Sequence, residues 1–309
     1  MKLSKKINDY LKKYKQSLVF KEFGAELTFA PDMAIPKAWL IPENEHLWEY
    51  FLDEMCGAFE SYHKIKHPWA DNIYADPGVV EIPSDVETDF NLFMRMYVSI
   101  VEKMKYNGFI PSSVYYLYSE GQCHQNFGMN EALKVLGVDK FRIFQKNLLY
   151  YIQQNPALSW IFLGPYDNHN AIIRGVPDDH HSNALNESID PMGFRFLNFK
   201  DIQYNPEYGG SDTARVELRF FMMPRTPEEM CCHYFFAVNL LDYIFKITQE
   251  GKVLEFRSDH PYDKYTYETA VKSLKKICGE ISFDFSDIQK VGKLKILKER
   301  LDLGSDYMN

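Results

Sequence analysis

Residues 215–221, Arg215-Val216-Glu217-Leu218-Arg219-Phe220-Phe221, alternate strictly between charged and apolar side chains. Strand side chains point to opposite faces with period two, so Arg215, Glu217 and Arg219 share one face and Val216, Leu218 and Phe220 the other. The segment therefore demands a sheet with one core-facing side. Its opposite side carries plus, minus, plus in a row, which suits either a solvent-exposed face or the floor of a site that binds a metal and an anion together.

Three further segments repeat the design. In residues 20–29, Phe23, Ala25, Leu27 and Phe29 form an apolar face, with Gly24, Glu26 and Thr28 opposite and Glu22 further along. A glycine inside a strand often marks close approach of a ligand or another backbone. In residues 78–84, Val80 and Ile82 share one face, Val79 and Glu81 the other. Residues 114–128 open with the strand-favouring run Tyr115-Tyr116-Leu117-Tyr118 and end with Cys123, Gln125 and Phe127 on one face and Gln122, His124, Asn126 and Gly128 on the other. A helix is expected after two of the four strands. Ser84 and Glu87 read as a capping box leading to the seam Phe93, Tyr97, Ile100 and Met104, closed by Asn107-Gly108. Thr226-Pro227-Glu228-Glu229 reads as the start of a helix of about twenty residues.

Glu26, Glu81, Glu217 and His124 together suit a hard divalent cation such as magnesium or manganese. Singly, each has a plainer reading: a carboxylate on a half-exposed strand, a satisfied core histidine, or a surface ion-pair ladder worth little. Their recurrence in one pattern favours a common site.

In this ordered set the chain resembles the amidoligase family, a branch of the glutamine synthetase and glutamate–cysteine ligase superfamily. The resemblance rests on Phe23-Gly24-Ala25-Glu26-Leu27-Thr28-Phe29, Val80-Glu81-Ile82-Pro83-Ser84, His124-Gln125-Asn126-Phe127-Gly128 and Val216-Glu217-Leu218-Arg219-Phe220, with Leu197-Asn198 and Thr226 at further family positions, and runs over about residues 18–249. It implies an α+β, glutamine synthetase-like fold: a curved, mostly antiparallel sheet, helices on the convex face and the site on the concave one. It also implies ATP-dependent joining of a carboxylate to an amine through an acyl phosphate, with ATP and Mg2+ or Mn2+ as cofactors. Metal ligation then falls to Glu26, Glu81, His124 and Glu217. Arg219 and Arg174 are the catalytic candidates, and Arg215, Asn198 and Asn126 those for substrate or nucleotide. A planar guanidinium matches phosphate better than an ammonium does, and no P-loop pattern is present. The chain departs from the family at Thr28, where a second acid is usual, and at Asn126, where a second histidine is usual. These departures motivate an alternative, a non-catalytic descendant acting as a binding or structural protein. A guanidino phosphotransferase would use a reactive cysteine near the site, and Cys123 falls on the wrong face.

The remaining features set bounds. A length of 309 residues suggests one large domain or a domain with an appendage: a basic amphipathic helix at 1–17, a ligase-like domain at 18–250, and a lysine-richer helical region at 251–309 packed on it. The first of these reads as a surface helix packed on the domain, with Leu3, Ile7, Tyr10, Leu11 and Tyr14 at helical spacing. A net charge of -8 argues against nucleic acid as a partner. Small-molecule or peptide carboxylates and amines are the expected partners. Five cysteines without framework spacing read as cytosolic thiols, and no membrane span or leader is expected. Helices are expected at 44–62 (Leu47, Tyr50, Phe51, Met55, Phe59), at 131–154 with a break near Gly137, at 265–278 and at 286–301. Asp178, Asp179, His180 and His181 match no metal template and read as an exposed loop.

Overall fold

Alternating polarity builds the sheet. The structure, a computed structural model, describes residues 3–32, 44–61, 65–76, 79–112, 123–155, 157–158, 161–162, 197–200, 214–255 and 266–298. Among these, β1 (Phe23–Pro31), β2 (Tyr74–Asp76), β3 (Val79–Pro83), β4 (Phe109–Pro111), β5 (Gln125–Gly128), β6 (Leu197–Lys200) and β7 (Arg215–Leu218) form one open sheet. The order is β2-β3-β1-β5-β7-β6, with β4 also pairing β1. Every pairing is antiparallel. The chain is thus of mixed α+β class.

Register decides which residues become neighbours, because directly opposed residues share a face. Gly24 pairs with Asn126, Asn126 with Glu217, and Glu217 with Asn198, giving one row across four strands. Thr28 pairs with Glu81, and Glu81 with Tyr74, giving another. Gly24, Glu26, Thr28, Glu81, Asn126 and Glu217 therefore lie on a single face.

The other face is core. Phe23, Ala25, Leu27, Phe29, Phe127, Val216 and Leu218 are all buried. The Phe23 ring meets Phe90 and Phe93 of α3 (Phe90–Tyr106) and Tyr234 of α5 (Pro227–Gln249) at centroid distances of 5.9, 4.6 and 4.8 Å. Each such ring contributes about 1.5–3 kcal/mol by leaving water. α5 is buried around almost its whole circumference. It packs against α1 (Lys5–Lys13), α3 and α4 (Asn130–Gln154), and its Tyr234 ring meets Phe23 of β1. α1 packs as the sequence suggests: Ile7 and Tyr10 are buried, and Tyr14 just beyond it stacks on Phe235 and Phe283. α6 (Tyr267–Glu280) and α7 (Phe285–Lys290) complete the helical part.

Three expectations shift. The helix after β3 begins at Phe90 with Asp89 as its cap, not at Ser84. Residues 84–87 instead prolong the pairing with β1: Ala25 N donates to Ser84 Oγ at 2.8 Å, and Phe23 and Glu87 exchange two backbone bonds of 2.8 Å. Ser84 is thereby engaged by a strand before it can cap a helix. In α2 (Glu45–Ser61), Leu52, Cys56 and Phe59 are buried while Leu47 and Tyr50 face water, a rotation of the expected seam. The last helix breaks at Gly292, where φ is +78°. Gly137 interrupts α4 as expected, with φ +70°.

Candidate metal centre

Three strands each deliver one ligand-bearing side chain to one point. Glu26 comes from β1, His124 from the residue before β5, and Glu217 from β7; one ligand atom from each lies within 4.8 Å of the others. Glu26 N donates to His124 O at 3.0 Å, extending the β1–β5 ladder and holding the histidine on the rung of Glu26. His124 Nδ1 stands 2.5 Å from Glu26 Oε2 and 3.4 Å from Glu217 Oε1. Glu217 is 1% exposed and His124 7%, so these charges are largely withdrawn from water and need compensation nearby.

The protonation of His124 reports that need. Burial works against a charged imidazole. Hydrogen bonds to Glu217 and Glu26 and the Glu26 charge outweigh burial and the opposing charge of Arg219, and lift the pKa from 6.5 to about 9. The two carboxylates thus favour the protonated imidazole. Two carboxylates and one imidazole also supply O and N donors of the kind a magnesium or manganese ion could take.

Other expected residues surround this centre. Arg219 Nε lies 3.4 Å from His124 Nε2 and 4.0 Å from Glu217 Oε2. Asn126 donates to Glu26 Oε1 at 3.3 Å and accepts from Arg215 Nε at 3.1 Å, bridging the cluster to a second guanidinium. Glu81 is buried but outside the three-residue group; the Tyr74 hydroxyl donates to its carboxylate. Thr28 is fully buried and donates to Ser112 O at 2.7 Å. Asn198 holds its backbone position in the row of Glu217. Arg174, residues 113–122 and the loop with Asp178, Asp179, His180 and His181 lie outside the described residues. Tyr74 was not anticipated: a three-residue strand shows no alternation to detect.

Cys123 is buried on the apolar side, where burial raises its thiol well above the usual range. A cleft lined by Tyr10, Lys13, Arg225, Thr226, Glu229 and Lys290 belongs to the helical part and shares no residue with the charged face. Among the described residues, no helix is long and apolar enough to cross a membrane.

No family model matches the chain, and no curated protein matches its sequence. Among solved structures, a chain from the crystal structure of the complex between the prokaryotic ubiquitin-like protein Pup and its ligase PafA is similar, with a TM-score of 0.44 and 11% identity. The match covers 93% of this chain and 64% of that one, so this chain spans less than two thirds of its length.

Proposed function

We propose that the chain is an ATP-dependent carboxylate–amine ligase of the amidoligase kind, using Mg2+ or Mn2+. The observation that carries this reading is the convergence of Glu26, His124 and Glu217 from three strands, in the order the family resemblance requires. Glu26, His124 and Glu217 would hold the metal, with Glu81 one step along the sheet. When bound, the cation would neutralise phosphate oxygens and orient the nucleotide. Arg219 would face charge developing on the transferring phosphoryl group, in a site dry enough for that interaction to count. Arg215, tethered by Asn126, would receive a second anionic group. Arg174 and Asn198 are assigned to the same anions by the resemblance. The carboxylate would be activated as its acyl phosphate and the amine would displace phosphate. Substrates are small-molecule or peptide carboxylates and amines.

The second reading, a non-catalytic binding or structural descendant, is favoured by Thr28, whose hydroxyl is committed to Ser112 O and leaves one family acid unreplaced. Thermal melting separates the two. For the ligase, ATP with Mg2+ raises the midpoint more than either alone, by mass action on the folded state, and Glu217→Ala abolishes the gain. An absence of response at millimolar ATP with either metal favours the second reading. A response that survives Glu217→Ala overturns the ligand assignment.

A further inference from the structure

The amide of Asn126 is shared between two neighbouring strands. Asn126 pairs directly with Gly24 of β1 and Glu217 of β7, whereas Glu26 lies two residues further along β1, on the rung of His124. The amide therefore reaches diagonally. Nδ2 donates to Glu26 Oε1 at 3.3 Å, and Oδ1 accepts from Arg215 Nε at 3.1 Å. A guanidinium only donates and an ionised carboxylate only accepts. One orientation of the amide satisfies both, and Arg215 anchors it. The consequence falls on Glu26. Its Oε2 faces His124 Nδ1 at 2.5 Å, while Oε1 is engaged by Asn126. A carboxylate held in this way turns one oxygen, not two, toward the meeting point of the three strands.

We infer that Asn126 is a positioning residue that leaves Glu26 a single oxygen for a cation and so selects Mg2+ or Mn2+ over Ca2+. This deepens the ligase reading and rests on its metal centre. Ca2+ takes about six to eight oxygens, often both from one carboxylate, whereas Mg2+ keeps a near-octahedral set and draws little on the protein. Mn2+ shares the octahedral preference. Tying up Oε1 denies Ca2+ the two-oxygen mode and costs the smaller ions little. Asn126 acts here through Glu26, as an outer partner that orients a ligand.

Calorimetric affinities of the full chain for Mn2+ and for Ca2+, without nucleotide, test this through their ratio, because a general loosening of the fold would weaken both ions together. Wild-type protein is expected to prefer Mn2+. Asn126→Ala is expected to weaken Mn2+ by about tenfold, as loss of an outer partner does, and to leave Ca2+ unchanged or tighter, so that the ratio falls by about tenfold or more. Asn126 is half-buried, and Asn126→Thr, a strand-favouring change too short to reach both partners, serves where alanine does not fold. A second arm needs no metal: the Nδ1–H signal of His124 at pH 7 should shift or broaden in the variant, because Glu26 is then free to turn. A fallen ratio together with a displaced signal supports the inference. A fallen ratio with the wild-type signal would mean that Asn126 meets the cation directly, and positioning through Glu26 is overturned. A wild type that binds Mn2+ without preferring it to Ca2+, or a folded variant with an unchanged ratio, overturns the inference and leaves the ligase reading standing. A wild type that binds neither ion removes the metal centre of that reading, and the inference with it.

Discussion

Among the described residues, two clusters combine carboxylate and imidazole. On the sheet, Glu26 and Glu217 share His124, whose pKa rises to about 9. In the helical part, Glu229 lies beside His233 and also Lys293, at 3.8 and 2.5 Å. There burial, reinforced by the Lys293 charge, holds His233 well below its usual value. Burial also lowers Lys293, although Glu229 pulls it back up. The helical cluster carries its own cation and balances one acid with one base. The sheet cluster sets two acids around one imidazole, with Arg219 4.0 Å from Glu217. A closed ion pair is a structural unit, whereas two carboxylates and one imidazole at the meeting point of three strands offer the donors that the proposed divalent cation would take.

The largest effect should come from breaking the closed pair. Lys293→Met strands Glu229 in a site where Lys293 is fully buried. Removing one partner of such a pair costs about 3–5 kcal/mol, read as a lower urea midpoint. Glu229→Gln combined with Lys293→Met should recover most of that loss. It removes both charges and keeps an acceptor for Arg225 N, which now donates to Glu229 at 2.8 Å. If the double variant is as unstable as the single, the pair is not what stabilises this region.

The sheet cluster should behave oppositely. Glu217→Gln keeps Glu26 and His124 paired at 2.5 Å and keeps an acceptor facing Arg219, so metal-free stability should fall by less than in Lys293→Met. What should vanish is the stabilisation by Mn2+, about 2.7 kcal/mol for wild type at a hundredfold excess over the dissociation constant. A metal-free loss as large as that of Lys293→Met would make the two clusters alike and remove the contrast.

Titration sharpens it further. The folded pKa of His124 lies above its unfolded value, so the proton's contribution to metal-free stability is complete below pH 6.5 and disappears as pH rises through about 9. Metal and proton compete for the same donors. The apparent Mn2+ affinity should therefore climb about tenfold per unit as pH approaches 9 and level off above it. Calorimetry in buffers of different ionisation enthalpy should show about one proton released per ion near neutral pH. Affinity that is flat across this range would mean His124 is not a ligand.

Much of this face was legible in the sequence because period two is a strong signal. The placement of Glu26, His124 and Glu217 on polar sides followed from alternation alone, and their order followed from the family resemblance. Register was not legible. Nothing local to residues 26 and 126 says that they sit on neighbouring rungs, so the contact between Asn126 and Glu26 emerges only with the pairing. Ser84 misled for a related reason: its hydroxyl suits a helix cap and a β1 backbone amide equally, and long-range pairing decided between them. Tyr74, on a three-residue strand, reaches Glu81 through β2–β3 register that no local pattern encodes.

Thr226 supplies the smallest and most local test. The family resemblance places a threonine shortly after the last of the four strands, where the sequence also reads as a helix start. In the structure it is the N-cap of α5: its hydroxyl accepts from Glu229 N at 3.2 Å, and Pro227 follows at the first helical position. It belongs to the helical region, on the same helix as Glu229, the partner of Lys293. Thr226→Ala should therefore cost about 1 kcal/mol of unfolding free energy, and Thr226→Ser should restore it. Neither should alter the Mn2+ response or its pH dependence. A variant that keeps its stability but loses the response to metal and ATP would move Thr226 from helix capping into the site. It would also show that the two clusters communicate through the short segment joining β7 to α5.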